Sequence, residues 1–270
     1  MHRGPGCARW PRCERGKIRG VSGRAAWFVI ALAACGHVDF DDQNAPGSVA
    51  FDAWSSTAST EVDGLGWTHT VQAGDVELVV FVATRSDTVG APAVSSITYG
   101  AASLGKLGAA CPNCTSSGLN NYELWALARP APGTAAIAVT LASQAQGASG
   151  LAGAYASDAP VAPDPIASNS GDSTLPNLSW TPPAGARFAI AGAMNQAGYV
   201  MALVPGSDQI ARSDTVCDDT NWEGQAFADE LAVGDGAQLS FAWEIGSGSG
   251  ANCNTVMQSH PWIAIGATFR

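Results

Sequence analysis

After residue 47, hydrophobic and polar positions alternate with a period of two through much of the chain, the mark of strands with one buried face. Ala135, Ile137, Val139 and Leu141 form such a face. Leu239, Phe241, Trp243 and Ile245 form another, opposite Gln238, Ser240 and Glu244. Ile263, Ile265, Ala267 and Phe269 point inward from a closing strand over Pro261–Arg270. Two runs depart from alternation. Val76–Thr84 is apolar almost throughout, and Arg187–Met194 is apolar and rich in Ala. Such runs predict strands buried on both faces, central in their sheets. Further strands are predicted at Ser48–Ser55, Gly66–Val71, Ser95–Gly100, Tyr122–Leu127 and Leu178–Trp180, with Trp67, His69 and Val71 sharing one face of the second. Pro130-Ala131-Pro132-Gly133 marks a turn, and Gly234-Asp235-Gly236 predicts a hairpin joining Trp222–Val233 to Ala237–Ile245.

These elements predict an all-β fold, an antiparallel β-sandwich of jelly-roll type over residues 48–270. The Pro-rich stretch 157–176 is unsuited to a helix or a central strand. It reads either as a crossover within one sandwich or as a linker between halves, and one domain is preferred because strands resume at once at Leu178–Trp180. In Val94–Leu141, the run Thr98-Tyr99-Gly100, then Leu124-Trp125-Ala126-Leu127, then the Pro/Gly turn and the alternating strand resembles a β-sandwich pattern recurrent in bacterial surface and phage structural proteins. That resemblance implies the sandwich and a mostly non-catalytic role, and it carries no site residues across.

The start of the chain is of another kind. Arg24 precedes Ala25–Ala34, an apolar run too short to span a bilayer, which takes about 20 residues, but of a length that suits a signal peptide. Leu32-Ala33-Ala34-Cys35 behind it resembles the lipobox of bacterial lipoproteins. The resemblance implies that residues 1–34 are a signal peptide, that Cys35 is lipidated and becomes the new N-terminus, and that 35–47 are an acidic tether. An ordinary secretory signal with an incidental Cys is the alternative. Gly36, where Asp favours inner-membrane retention in some bacteria, implies delivery to the outer membrane. The expected location is therefore the cell envelope, with membrane contact through the lipid anchor. Met1–Arg24 is long and studded with Arg, and Val21 would be a plausible alternative start.

Charge narrows the partners. The leader holds seven of the 13 Lys and Arg and one of the 23 Asp and Glu, so the body carries 6 basic against 22 acidic residues, a net charge near −16. Such a surface repels phosphate backbones, which argues against nucleic acid. An unknown protein or glycan is the expected partner.

No catalytic constellation stands out. A Ser-His-Asp arrangement needs His69 or His260 as its base, but Gly246-Ser247-Gly248-Ser249-Gly250 places Gly where the nucleophile of an elbow belongs. Glu123 and Glu244, candidates for a carboxylate pair, read better as outward faces of half-buried strands. The reading is a non-enzymatic surface or binding module, and the alternative is a carbohydrate-binding module or weak glycoside hydrolase. Most Trp residues sit in apolar alternation and suit core packing. Trp222 lies in a polar stretch and is the candidate exposed binding aromatic. Asp214, Asp218, Asp219, Asn221 and Glu223 crowd the same loop and are candidate Ca²⁺ ligands, set against a plain solvated loop, and no other cofactor is expected. After cleavage at Cys35, Cys111, Cys114, Cys217 and Cys253 remain. In an oxidising compartment they predict two bridges, Cys111–Cys114 and Cys217–Cys253, with a four-Cys zinc site as the alternative.

Overall fold

The computed structural model describes residues 48–86, 93–110, 119–196, 198–204, 208–217, 224–233, 236–251, 253–255 and 259–270. Their regular elements are all strands. The first part of the chain supplies β1 (Val49–Val71), β2 (Asp75–Ser86), β3 (Val94–Tyr99), β4 (Ala102–Ser103), β5 (Gly105–Ala110), β6 (Leu119–Ala128) and β7 (Gly133–Ser157). The rest supplies β8 (Ala167–Ser173), β9 (Asn177–Trp180), β10 (Phe188–Asn195), β11 (Met201–Val204), β12 (Gln209–Ala211), β13 (Thr215–Cys217), β14 (Gly224–Glu230), β15 (Leu239–Ile245), β16 (Gly250–Ala251) and β17 (His260–Phe269).

One sheet runs β4-β3-β7-β2-β6-β5, with β1 also on β7. A second runs β16-β13-β14-β10-β17-β8, with β12 also on β14, and a third, smaller sheet is β11-β15-β9. Pairing is antiparallel between the strands except for β13 with β16. The sheets stack as an antiparallel β-sandwich. Val79 and Phe81 of β2, Leu124 of β6 and Tyr155 of β7 meet Phe188 and Ile190 of β10 and Ile263, Ile265 and Phe269 of β17 in the core between the first two sheets. The opposite faces are covered too. Leu78, Val80 and Val82 pack with Ile137, Val139 and Trp125, while Ala189, Ala191 and Ala193 pack under Leu239, Phe241 and Trp243 of the third sheet. The two uninterrupted apolar runs are therefore central strands covered on both sides, and each CH₂ so buried contributes about 0.8 kcal/mol.

Three expectations need correction or extension. Ser48–Ser55 and Gly66–Val71 are not separate strands but the two ends of β1, paired to β7 along its whole length. The signal fades between them because Ser56–Thr60 are small and mostly polar, whereas the ladder needs only their backbones. The β1–β7 ribbon loses register between Val62 and Gly64, and a Cβ at Gly64 would collide with the Val139 carbonyl. Its far end folds back, because Ser55 Oγ meets His69 Nδ1 at 2.8 Å, although fourteen extended residues span on the order of 45 Å. The expected hairpin around Gly234-Asp235-Gly236 does not form. β14 pairs with β10, β12 and β13, while β15 pairs with β11 and β9 in the third sheet. A turn signal between two alternating strands reads the same whether the chain returns to its own sheet or crosses to the next. Within 157–176, β8 forms an exposed strand on β17, where the sequence suggested no strand.

Candidate functional site

Several buried polar groups sit in this framework, and the question is which of them face a space that a ligand can enter. Glu123 lies on β6 between Tyr122 and Leu124 and is fully buried, not on an outward face as the alternation suggested. Its carboxylate accepts from Val94 N at 3.0 Å, Asn121 Nδ2 at 2.7 Å and Trp125 Nε1 at 2.9 Å, and Lys106 Nζ lies 2.9 Å away. With that many donors around it and no solvent access, this carboxylate is structural. Glu244 is half-buried and accepts from Ser247 Oγ at 2.9 Å. It sits on the third sheet and Glu123 on the first, so the pair named from sequence is not brought onto one sheet.

His69 is buried within the folded-back end of β1. Its Nδ1 bonds Ser55 Oγ, which also accepts from Trp67 Nε1 at 2.9 Å, and its Nε2 is buried without a partner among the described residues. Burial lowers its pKa to about 4 against a modest upward pull from Asp52. A base this weak, closed off from solvent and facing a serine already held by Trp67, supports no triad. His260 lies on β17 of the other sheet and stacks on Tyr199 at 4.8 Å between ring centroids. Nearby on β2, burial raises the pKa of Glu77 to about 8, and that of Asp75 rises through burial and the neighbouring Asp52.

A third buried group joins the two sheets. Arg212 Nε donates to Asp229 Oδ2 at 2.7 Å, and its guanidinium stacks over Phe51 at 4.6 Å. Burial pushes Asp229 up while Arg212 pulls it back, and the Tyr155 hydroxyl beside it is pushed well above its usual range, chiefly by burial.

The accessible space lies elsewhere. A cleft of about 380 Å³ opens between β11 and β15 of the third sheet and β12 and β14 of the second. Met201, Leu203, Ile210 and Trp243 form its apolar walls, and Gln209, Ser213, Asp214 and Ser249 its polar lining. Asp214 is exposed and accepts from Ser249 Oγ. The Cys217–Cys253 bridge, expected from sequence, is present with Cα atoms 5.4 Å apart, and it clamps β13 to the segment after β16, next to Gly248 and Ser249 of the cleft.

Of the other residues singled out from sequence, Cys35, Cys111, Cys114, Asp218, Asp219, Asn221, Trp222 and Glu223 lie outside the described residues. Among the described residues, no three His, Cys, Asp or Glu side chains gather as metal ligands. Sequence reading missed the cleft, because its walls come from five separate segments. The buried ion pair of Glu123 had one faint signal, a lone charge between apolar neighbours in Tyr122-Glu123-Leu124, whereas Asp229 is followed by Glu230 and carries no such mark.

A scan against protein-family models matches none, and a search of the curated proteins finds no relative of this chain.

Proposed function

We propose that the chain is a cell-envelope lipoprotein, anchored in the outer membrane by lipid on Cys35, whose sandwich is a non-enzymatic binding module with the cleft between β11, β12, β14 and β15 as its ligand site. The observation that carries the binding reading is the contrast between that cleft and the buried acids. The cleft is of ligand size, with apolar walls and a few polar groups, as small-ligand sites are. His69 and Glu77, two of the groups with shifted pKa values, are buried in the core away from the cleft. Lipidation rests on the lipobox-like Leu32-Ala33-Ala34-Cys35.

Two experiments test this. Cys35→Ser should leave the protein unprocessed or released from membranes, since two or more acyl chains give stable anchoring, and a fully processed variant still on membranes would sink the anchor. A glycan array with the Trp222→Ala variant tests the carbohydrate-binding alternative. Glycan binding lost in that variant would move the ligand site from the cleft to the Trp222 loop.

A further inference from the structure

We infer that the cleft takes an apolar amine, a small ligand in which an ammonium group is carried on a hydrocarbon or aromatic body. The inference rests on reading the cleft as the ligand site, and the polar lining points to the class. Gln209 commits its Nε2 to Glu230 Oε2 at 3.2 Å and to the Ser240 carbonyl at 3.0 Å. Its Oε1 is left buried with no partner among the described residues. With both Nε2 hydrogens committed, this side chain offers the cleft no free donor. Asp214 supplies the acceptor, an exposed carboxylate with room for further donors beside its bond from Ser249. Ser213 Oγ accepts from Phe227 N at 3.1 Å and keeps its own proton to donate. The charged capacity of the described lining is to accept, and an ammonium is a pure donor.

Charge points the same way. Among the described residues, Asp214 is the one charged side chain lining the cleft. Arg212, between Ala211 and Ser213 in the same wall, is held on Asp229 and Phe51 and is not among the residues that line it. The body's net charge near −16 raises the local concentration of cations and repels anions. The rest of the wall is apolar, and Ile210 stands 48% exposed, so a ligand's hydrocarbon part has surface to cover there.

Isothermal titration of the purified protein at low ionic strength with hexylammonium, hexan-1-ol, hexanoate and glucose separates the readings. The expected order is hexylammonium tightest, hexanol weaker and hexanoate without binding. Asp214→Asn, an exposed position whose effect on folding a thermal melt checks, should weaken hexylammonium by about fivefold and leave hexanol unchanged. Hexanoate or hexanol binding as tightly as hexylammonium, or an Asp214→Asn variant with full hexylammonium affinity, overturns the amine assignment while leaving the cleft as a binding site. Binding of glucose alone also overturns it, in favour of a glycan. If none of the four probes binds, both the amine assignment and the cleft reading fall.

Discussion

Lys106 Nζ on β5 sits 2.9 Å from Oε2 of Glu123 on β6, with Lys106 37% exposed and Glu123 not exposed at all. The lysine also lies over the Trp125 ring, 5.8 Å from its centroid. One partner thus stays in water while the other pays full desolvation, so the carboxylate depends on its donors. Lys106→Ala is expected to destabilise by roughly 1–2 kcal/mol, below the 3–5 kcal/mol typical of breaking a fully buried pair, because three neutral donors remain on Glu123. Glu123→Leu removes the charge but strands those donors, and should cost more than Lys106→Ala. Urea unfolding of both variants checks the order, and a Lys106→Ala loss equal to or above that of Glu123→Leu would contradict it.

Stability should depend on pH through two buried groups acting in opposite directions. Glu77 has a folded pKa raised from 4.5 to about 8, so its contribution is full below 4.5 and is lost as pH rises through 8. His69 has a folded pKa lowered from 6.5 to about 4, so its contribution is present above 6.5 and lost as pH falls through 4. The two oppose each other between 4.5 and 6.5, and from 6.5 to about 8 Glu77 drives stability down without that opposition. The slope there approaches the limit of about 1.4 kcal/mol per pH unit for one proton. Chemical denaturation from pH 6 to 9 should show this decline in the native sequence and a much flatter line in Glu77→Gln; parallel lines would refute the assignment.

The Cys217–Cys253 bridge closes a loop with a sequence separation of 36. Chain entropy places its contribution at up to about 4 kcal/mol. The double variant Cys217→Ser, Cys253→Ser should lose up to that amount in guanidinium denaturation. It should also show faster amide exchange at Val216 and Ala251, the pair in the parallel β13–β16 contact. Unchanged exchange there would mean that the strands hold each other without the bridge.

Gly150 on β7 lies under the Trp67 indole, and a Cβ there would come within 2.6 Å of Trp67 Cη2. Gly150→Ala must push the indole and, with it, the folded-back end of β1. Overpacking of this kind costs about 1–3 kcal/mol. Indole fluorescence should report the displaced Trp67. Full native stability in the variant would mean that the ribbon end yields freely.

The sequence alone determined many of the longer strands and which way most of their side chains face. In Leu239–Ile245 alternation names the buried residues, and in Val76–Thr84 and Arg187–Met194 its absence marks the central strands, whereas in His260–Phe269 alternation named one face and the structure buries both. The bridge between Cys217 and Cys253 was also expected from the cysteines of the sequence. Side-chain period is a local property of the backbone, so it survives in one dimension. What only the tertiary structure decided is which strands meet. β1 runs unbroken because β7 pairs with it, not because its middle residues are apolar. β14 and β15 part company because each finds its partners in a different sheet. Glu123 is buried because Lys106, Val94, Asn121 and Trp125 converge on it. The cleft belongs to the same class. Met201, Ile210, Asp214, Trp243 and Ser249 line one space because two sheets stack and leave an edge open, and pairing between distant strands is set by the free energy of the whole stack.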